Sequence, residues 1–151
     1  MSTGLQRLVR RAVLVLLKND DYLKELVPTA RWYGQSAPAD PAWPFGKLGA
    51  STSQRFRATG VNGAQVAFAI HAFARAREVA GQVVETAEDH AGRIGEHVER
   101  VLSDNRFELT EGPVVKLWLS DMQLMQDGGP DAFHWFAQVN ARVLAQTLPA
   151  C

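Results

Sequence analysis

The sequence predicts an α+β domain: an antiparallel or mixed sheet of about four to five strands, with an N-terminal helix and a long central helix packed on one face. Three observations carry this. Over Gly81–Leu102, Val84, Ala87, Ala91, Ile94, Val98 and Val101 recur at steps of three and four, one stripe of a helix. Over Ala64–Arg75, Val66, Phe68, Ile70 and Ala72 alternate with Ala67, Ala69, His71 and Phe73, the period of a strand. Over Ala132–Gln146, Phe133, Trp135, Ala137, Val139, Ala141 and Val143 alternate with His134, Gln138, Asn140 and Arg142.

The elements follow in chain order. Thr3–Asn19 reads as the first helix, capped by Ser2 or Thr3, with Leu5, Leu8, Val9, Ala12, Val13, Leu16 and Leu17 on a broad apolar face. Asp20 and Asp21 open a short turn that directs Tyr22, Leu23 and Leu26 inward, and Pro28 ends it. Residues 28–45 are Pro-rich and irregular yet carry Trp32, Tyr33, Trp43 and Phe45. Four aromatics argue against disorder. They either pack back on the domain or dock on a neighbour.

Pro44–Arg57 reads as a strand and Ala58–Gly63 as a turn, so Arg55, Phe56 and Arg57 sit near a hairpin tip spanning 54–63. The next strand, Ala64–Arg75, is apolar on both faces and is expected to be covered on both. The central helix carries Glu85, Glu88, Asp89, Arg93, Glu96, Glu99 and Arg100 mostly away from its stripe. Fully burying its four branched apolar residues contributes roughly 6–12 kcal/mol before chain entropy is subtracted. Phe107–Leu109 begins an edge. Val114–Met125 alternates as a strand, and Gln126–Asp131, with Gly128, Gly129 and Pro130, turns the chain into the last one.

The chain of 151 residues suits a single domain spanning 1–151. Sixteen basic and sixteen acidic residues cancel, but unevenly. Residues 1–60 hold nine Lys/Arg against four Asp/Glu, net +5, and residues 61–151 hold seven against twelve, net −5. A head-to-tail assembly can use such polarity, and two solvated faces of opposite sign look the same. Cys151 is the only cysteine, which excludes an internal disulfide and suits a reducing compartment. Arg7, Arg10 and Arg11 precede a six-residue apolar run, too short for an export signal. No run approaches the length of a membrane span, so a soluble, cytosolic chain is expected.

Chemistry-bearing constellations are not legible. His90 and His97 lie two helical turns apart, about 10 Å along the axis, too far to share an ion. His71 and His134 read as satisfied or surface histidines. Cys-x-x-Cys, a phosphate loop and a nucleophile elbow are missing, so no catalytic, cofactor-binding or metal residue is expected. A small enzyme on this scaffold needs a pocket that gathers His71 with Asp121 or His134. Arg7, Arg10 and Arg11, with Arg55 and Arg57, make only small basic faces, so sequence-specific nucleic-acid recognition is not expected.

The chain nevertheless resembles a known family over nearly its whole length. The resemblance is carried by "LKNDDYLKELV" ending the first helix and "WPFGKLGAS" after the Pro-rich loop. The strand-to-helix run "VAFAIHAFARAREVAGQVVETA" and the final pair "LWLSDMQLMQDGG" and "FHWFAQVNARVLA" complete it. The sequence is similar to tail-completion proteins of long-tailed phages and gene transfer agents, also called tail terminators or tail-to-head joining proteins. That resemblance implies a structural, non-enzymatic protein without cofactor. It forms a ring, a hexamer, on the finished tail tube, stops polymerisation and joins the tail to the head. The implied partners are further copies of itself, the major tail tube protein, the head-closure or stopper protein, and DNA passing through the lumen, with no membrane. The implied location is the head-tail junction of a particle assembled in the bacterial cytoplasm. In that setting Trp32, Tyr33, Trp43 and Phe45 are expected to meet a neighbour, and Arg55, Phe56 and Arg57 to meet tube, partner or DNA. A stopper or adaptor role in the same particle is the alternative.

Overall fold

A computed structural model describes residues 2–58, 61–129 and 131–145, with side chains at all of these except 2, 3, 56–58, 61, 62 and 145. Helix α1 (Ser2–Asn19) buries Val9, Val13 and Leu17 completely, and Leu5, Leu8, Ala12 and Leu16 pack on the same core. Asp20 then caps α2 (Asp21–Leu26): its carboxylate accepts the Leu23 N–H at 3.0 Å. Leu23 is buried, but Tyr22 is not turned inward as expected. It is 62% exposed and stacks on His97 at 5.5 Å. A single 3-10 turn, Thr29–Arg31, leads into β1 (Trp32–Tyr33).

The sheet is built from β2 (Phe45–Ala58), β3 (Val61–Arg75), β7 (Val114–Gln126) and β8 (Ala132–Ala145), with β1 and β6 (Arg106–Glu108) as short edges. Its order is β1-β2-β3-β8-β7-β6. Every pairing is antiparallel except β1 with β2, which makes the sheet mixed. Six strands stand where the pattern predicts four to five: the edge expected at Phe107–Leu109 is β6, and the added strand is β1, two residues long and too short to leave a periodic signal. The β2–β3 pairing runs on to Ala58↔Val61, through the stretch expected to turn; Thr59 and Gly60 lie outside the described residues. Bulges interrupt β2 between Leu48 and Ser51 and β7 between Ser120 and Gln123. Asp121, with φ +54°, sits in the second.

The central helix α3 occupies Ala87–Leu102, not Gly81–Leu102. Residues ahead of it form a hairpin instead, β4 (Arg77–Val79) with β5 (Gln82–Glu85). Ala80 and Gly81 both have positive φ, +53° and +78°, the backbone of a tight two-residue hairpin turn. Val84 therefore leaves the stripe and is 52% exposed. Thr86 caps the helix by accepting the Asp89 N–H at 3.1 Å, and Glu88 and Asp89 complement the dipole of its first turn. The stripe from Ala87 through Ala91, Ile94 and Val98 is buried as read, with His90, Gly95 and Leu102 added, and Val101 is half-buried.

Helices α1 and α3 lie on one face of the sheet. That face contributes Val66, Phe68, Ile70 and Ala72 from β3, Val115 and Leu117 from β7, and Trp135, Ala137, Val139, Ala141 and Val143 from β8, all buried. The other face of β3, with Ala67, Ala69, His71 and Phe73, is only half-buried. The expectation of a strand covered on both sides is corrected: no described helix packs there, and cross-strand rings and amides cover it in part. Asn140 is the deepest of these groups, donating to Ser120 Oγ at 2.9 Å and accepting from Gln138 at 2.9 Å.

Candidate assembly surface

Strand register decides where the sequence-predicted contact residues lie: Tyr33 and Phe45 share rows with Lys47 and Phe73 on the helix-free face, whereas Trp32 and Arg55 fall in the rows of Ala72 and Ala64 on the side of the helices. Trp32 is 3% exposed and belongs to the core. Its ring fills the space that Gly46 leaves empty, since a Cβ on Gly46 would lie 2.1 Å from the indole. Phe45 is 6% exposed, stacked on Phe73 at 4.8 Å. Tyr33 and Trp43 remain half-buried at the rim. Trp43 meets Phe45 and Phe73 edge-on at 5.2 and 6.0 Å, and the Arg75 guanidinium lies 4.3 Å over its ring. Arg31 donates to the Trp43 carbonyl at 2.9 Å, tying this segment down. Arg55 is exposed, while the side chains of Phe56 and Arg57 lie outside the described residues.

Two neighbouring rows across β2, β3, β8 and β7 explain the ring cluster. One aligns Phe45, Phe73, His134 and Met125; the next aligns Lys47, His71, Phe136 and Gln123. Rings therefore stack in sequence: Phe73 on His134 at 4.3 Å, His134 beside His71 at 4.8 Å, and His71 on Phe136 at 5.8 Å. His71 Nδ1 and His134 Nε2 share a hydrogen bond of 2.7 Å. Burial, then the neighbouring His134 and Lys47, push His71 down to about 4. Burial also pushes His134 down, against the pull of Asp127. Both rings are thus neutral at pH 7, one donating and one accepting. The pairing of His71 with His134 entertained for an enzyme is present, but as a neutral pair packed between phenylalanines, and neither ring is bonded to Asp121. Among the described residues no group of three His, Cys, Asp or Glu is placed to hold a metal ion. His90, buried, donates from Nδ1 to the Arg75 carbonyl at 2.7 Å, a structural role.

Two exposed apolar patches went unread in the sequence. The β4–β5 hairpin presents Val79, Val83 and Val84, 52–62% exposed. Glu85 fixes its root, accepting from Arg93 at 2.8 Å through both oxygens and from Arg77 at 2.9 Å. The bonds from Arg93, outweighing burial, hold the Glu85 carboxyl below the usual range. The second patch is the far half of β7, where Met122, Leu124 and Met125 are 37–45% exposed. Leu124 lies on the α3 side of the strand and Met125 in the row of His134 on the helix-free side, so both faces of this end of β7 carry an exposed apolar side chain. The only sequence signal for either is the valine and methionine content of segments that read as helix and strand.

Comparison with known proteins bears on what such a surface serves. The family model described as Tail completion protein gp17 matches residues 11–144. A chain from a solved structure, the virion of a native gene transfer agent particle, matches with a TM-score of 0.73 at 20% identity, covering 95% of this chain and 100% of that one. At that identity the likeness shows the fold. No curated protein sequence matches the chain.

Proposed function

Because the chain belongs to the tail completion protein family, we propose that it caps the tail tube as a closed ring, ends tail polymerisation and joins the tail to the head-closure protein. The observation that carries this is the family match over residues 11–144, on a chain that shares its fold with a particle component. The chemistry of the surface supports it. Its half-buried polar groups are amides, a hydroxyl, a neutral histidine pair and Lys47, which suit contact. A closed ring of identical copies needs two unlike patches on each copy. The valines of the β4–β5 hairpin, the far half of β7 and the rim residues Tyr33 and Trp43 are candidates for these. In this reading six copies surround a lumen through which DNA passes, and Arg55 stands ready to meet the tube, a partner or the DNA backbone.

Deleting the gene tests the function. The expected result is overlong tails, or tails without heads, in electron micrographs. Tails of normal length joined to filled heads would contradict it. A stopper or adaptor would instead leave tails of normal length and heads that leak, so tail length separates the two roles.

A further inference from the structure

Two helix ridges of opposite charge lie on opposite flanks of the helix layer. α1 is fastened over β2: Gln6 donates to Ser53 Oγ at 2.8 Å, and Arg10 donates to Ser51 Oγ at 2.7 Å and to the Gly49 carbonyl. α3 lies over β8 and β7, with Gly95 against Trp135 and Gly92 beside Leu124. β2 and β7 stand on opposite sides of the central pair β3 and β8. The helices run in opposite directions over the same stretch of sheet. Gln6 sits at the row of Ser53, Val66, Ala141 and Leu117, and Arg10 at that of Ser51. Gly95 sits over the row of Gly46, Ala72, Trp135 and Leu124, and Asn105, just past α3, gives its carbonyl to Leu117 in the Ser53 row. α1 therefore starts at the end of the sheet where α3 finishes.

Each helix turns a ridge to solvent. On α1 it is Arg7, Arg11, Val15 and Lys18, and α1 contains no carboxylate. Arg7, Arg11 and Val15 are exposed and Lys18 is half-buried. Arg11 holds the exposed Glu111 at 3.1 Å. On α3 the arginines are engaged within the chain, Arg93 by Glu85 and Arg100 by Asp20. Glu88, Gly92, Glu96 and Glu99 form the ridge beyond them; the three carboxylates are exposed, and among the described residues none of them forms an ion pair. At the helical rise, the α1 ridge has side chains at about 0, 6, 12 and 16.5 Å, and the α3 ridge, counted back from Glu99, at about 0, 4.5, 10.5 and 16.5 Å. Set antiparallel, Arg7 meets Glu99, Arg11 meets Glu96 and Lys18 meets Glu88. Val15, 50% exposed, meets the notch at Gly92, where the exposed Leu124 supplies an apolar wall.

We propose that α1 of one copy packs antiparallel on α3 of the next through these two ridges. The occupant is a second copy of this chain, selected by three cation–carboxylate pairs and one apolar seat. Rotation about an axis along the strands keeps the ends of the sheet level, so the α1 flank of one copy reaches the α3 flank of the next with the ridges in this order. Each copy then uses one ridge on either side, as a closed ring requires. This rests on the ring reading and names the surfaces that close the ring.

A charge swap tests it. Arg7→Glu and Glu99→Arg are made singly and together, with circular dichroism reporting the fold and sedimentation the assembly. Each single reversal sets like charges across the contact and raises the concentration needed for assembly about fivefold or more, and the double variant recovers it to within about twofold. Oxidation supplies a second measurement. In a Cys151→Ala background, Val15→Cys and Gly92→Cys in one chain should link neighbouring copies into a covalent ladder that grows to the size of the ring. If wild type assembles while both single variants match it and oxidation leaves single chains, the contact is overturned and the ring closes through other surfaces. A ladder that stops at two copies would make the ridges a back-to-back pair and overturn their use in a ring. If wild type stays a single copy, the ring reading falls and this contact with it.

Discussion

Two glycines three residues apart in α3 are expected to respond to alanine with opposite signs. Alanine in place of a helix-interior glycine ordinarily gains about 0.5–1 kcal/mol, because less backbone freedom is lost on folding. At Gly92 the new methyl finds only the end of Leu124, at 3.4 Å, an ordinary contact, so Gly92→Ala keeps that gain. At Gly95 the methyl would lie 2.4 Å from Cγ, Cδ1 and Cδ2 of Trp135, far inside the 3.5–4.0 Å that carbon atoms prefer. Trp135 has no room to retreat. It is 6% exposed and held in β8 between Ala72 and Leu124 on the flanking strands. Overpacking of this kind costs about 1–3 kcal/mol. Gly95→Ala should therefore destabilise by about 1–2 kcal/mol net, and the two variants should differ by about 1.5–3 kcal/mol. Urea unfolding followed by tryptophan fluorescence and circular dichroism gives both values, and a smaller residue at 135 should relieve part of the Gly95→Ala loss. A Gly95→Ala protein as stable as wild type would refute the close approach of α3 to the sheet.

Further expectations follow from the same geometry. The His71–His134 pair is neutral in the fold, whereas an unfolded histidine takes a proton below about pH 6.5. The unfolded chain thus binds more protons, and stability falls as pH drops from about 6.5 towards 4. With solvent screening of the half-buried rings the loss is roughly 1–2 kcal/mol, read from urea midpoints, and His71→Phe should flatten it. The carboxyls of Asp20 and Glu85 are lowered from near 4, so their losses begin further into acid and leave pH 5–6.5 to the histidines. Ile94→Asp, a charge in a fully buried site, should yield no soluble folded protein; normal expression would show the α3 stripe is not core. Glu85→Gln weakens both arginine contacts at the root of the β4–β5 hairpin. Exchange of residues 77–85 should quicken while that of β3 and β8 stays slow, and an unchanged hairpin would mean that Glu85 does not hold it.

What the sequence made legible follows the reach of its local signals. The alternation of Val66, Phe68, Ile70 and Ala72, and the spacing of Ala87, Ala91, Ile94 and Val98, each mark one buried face and were readable directly. Val84 extended the helical spacing by coincidence. Gly81 was the better guide there, since with Ala80 it turns a hairpin whose valines face solvent. Trp32 sat in a stretch that looked like loop, and only the missing side chain of Gly46, fourteen residues on, gives it a buried seat. The ring stack was not legible at all. His71 and His134 are sixty-three residues apart, and nothing local says that β3 pairs with β8 in the register that joins them. The edge strand β1 was likewise not legible, since its two residues leave no pattern.

In the function proposed above, this chain works as one of several identical copies closed around a lumen. The mass of the purified protein in solution, with class averages of whatever particles it forms, tests that most directly. The expected result is a discrete multiple of the 16.6 kDa chain, with ring-shaped averages around an open centre. A single 16.6 kDa species at every concentration, with tail tubes added or not, would contradict it.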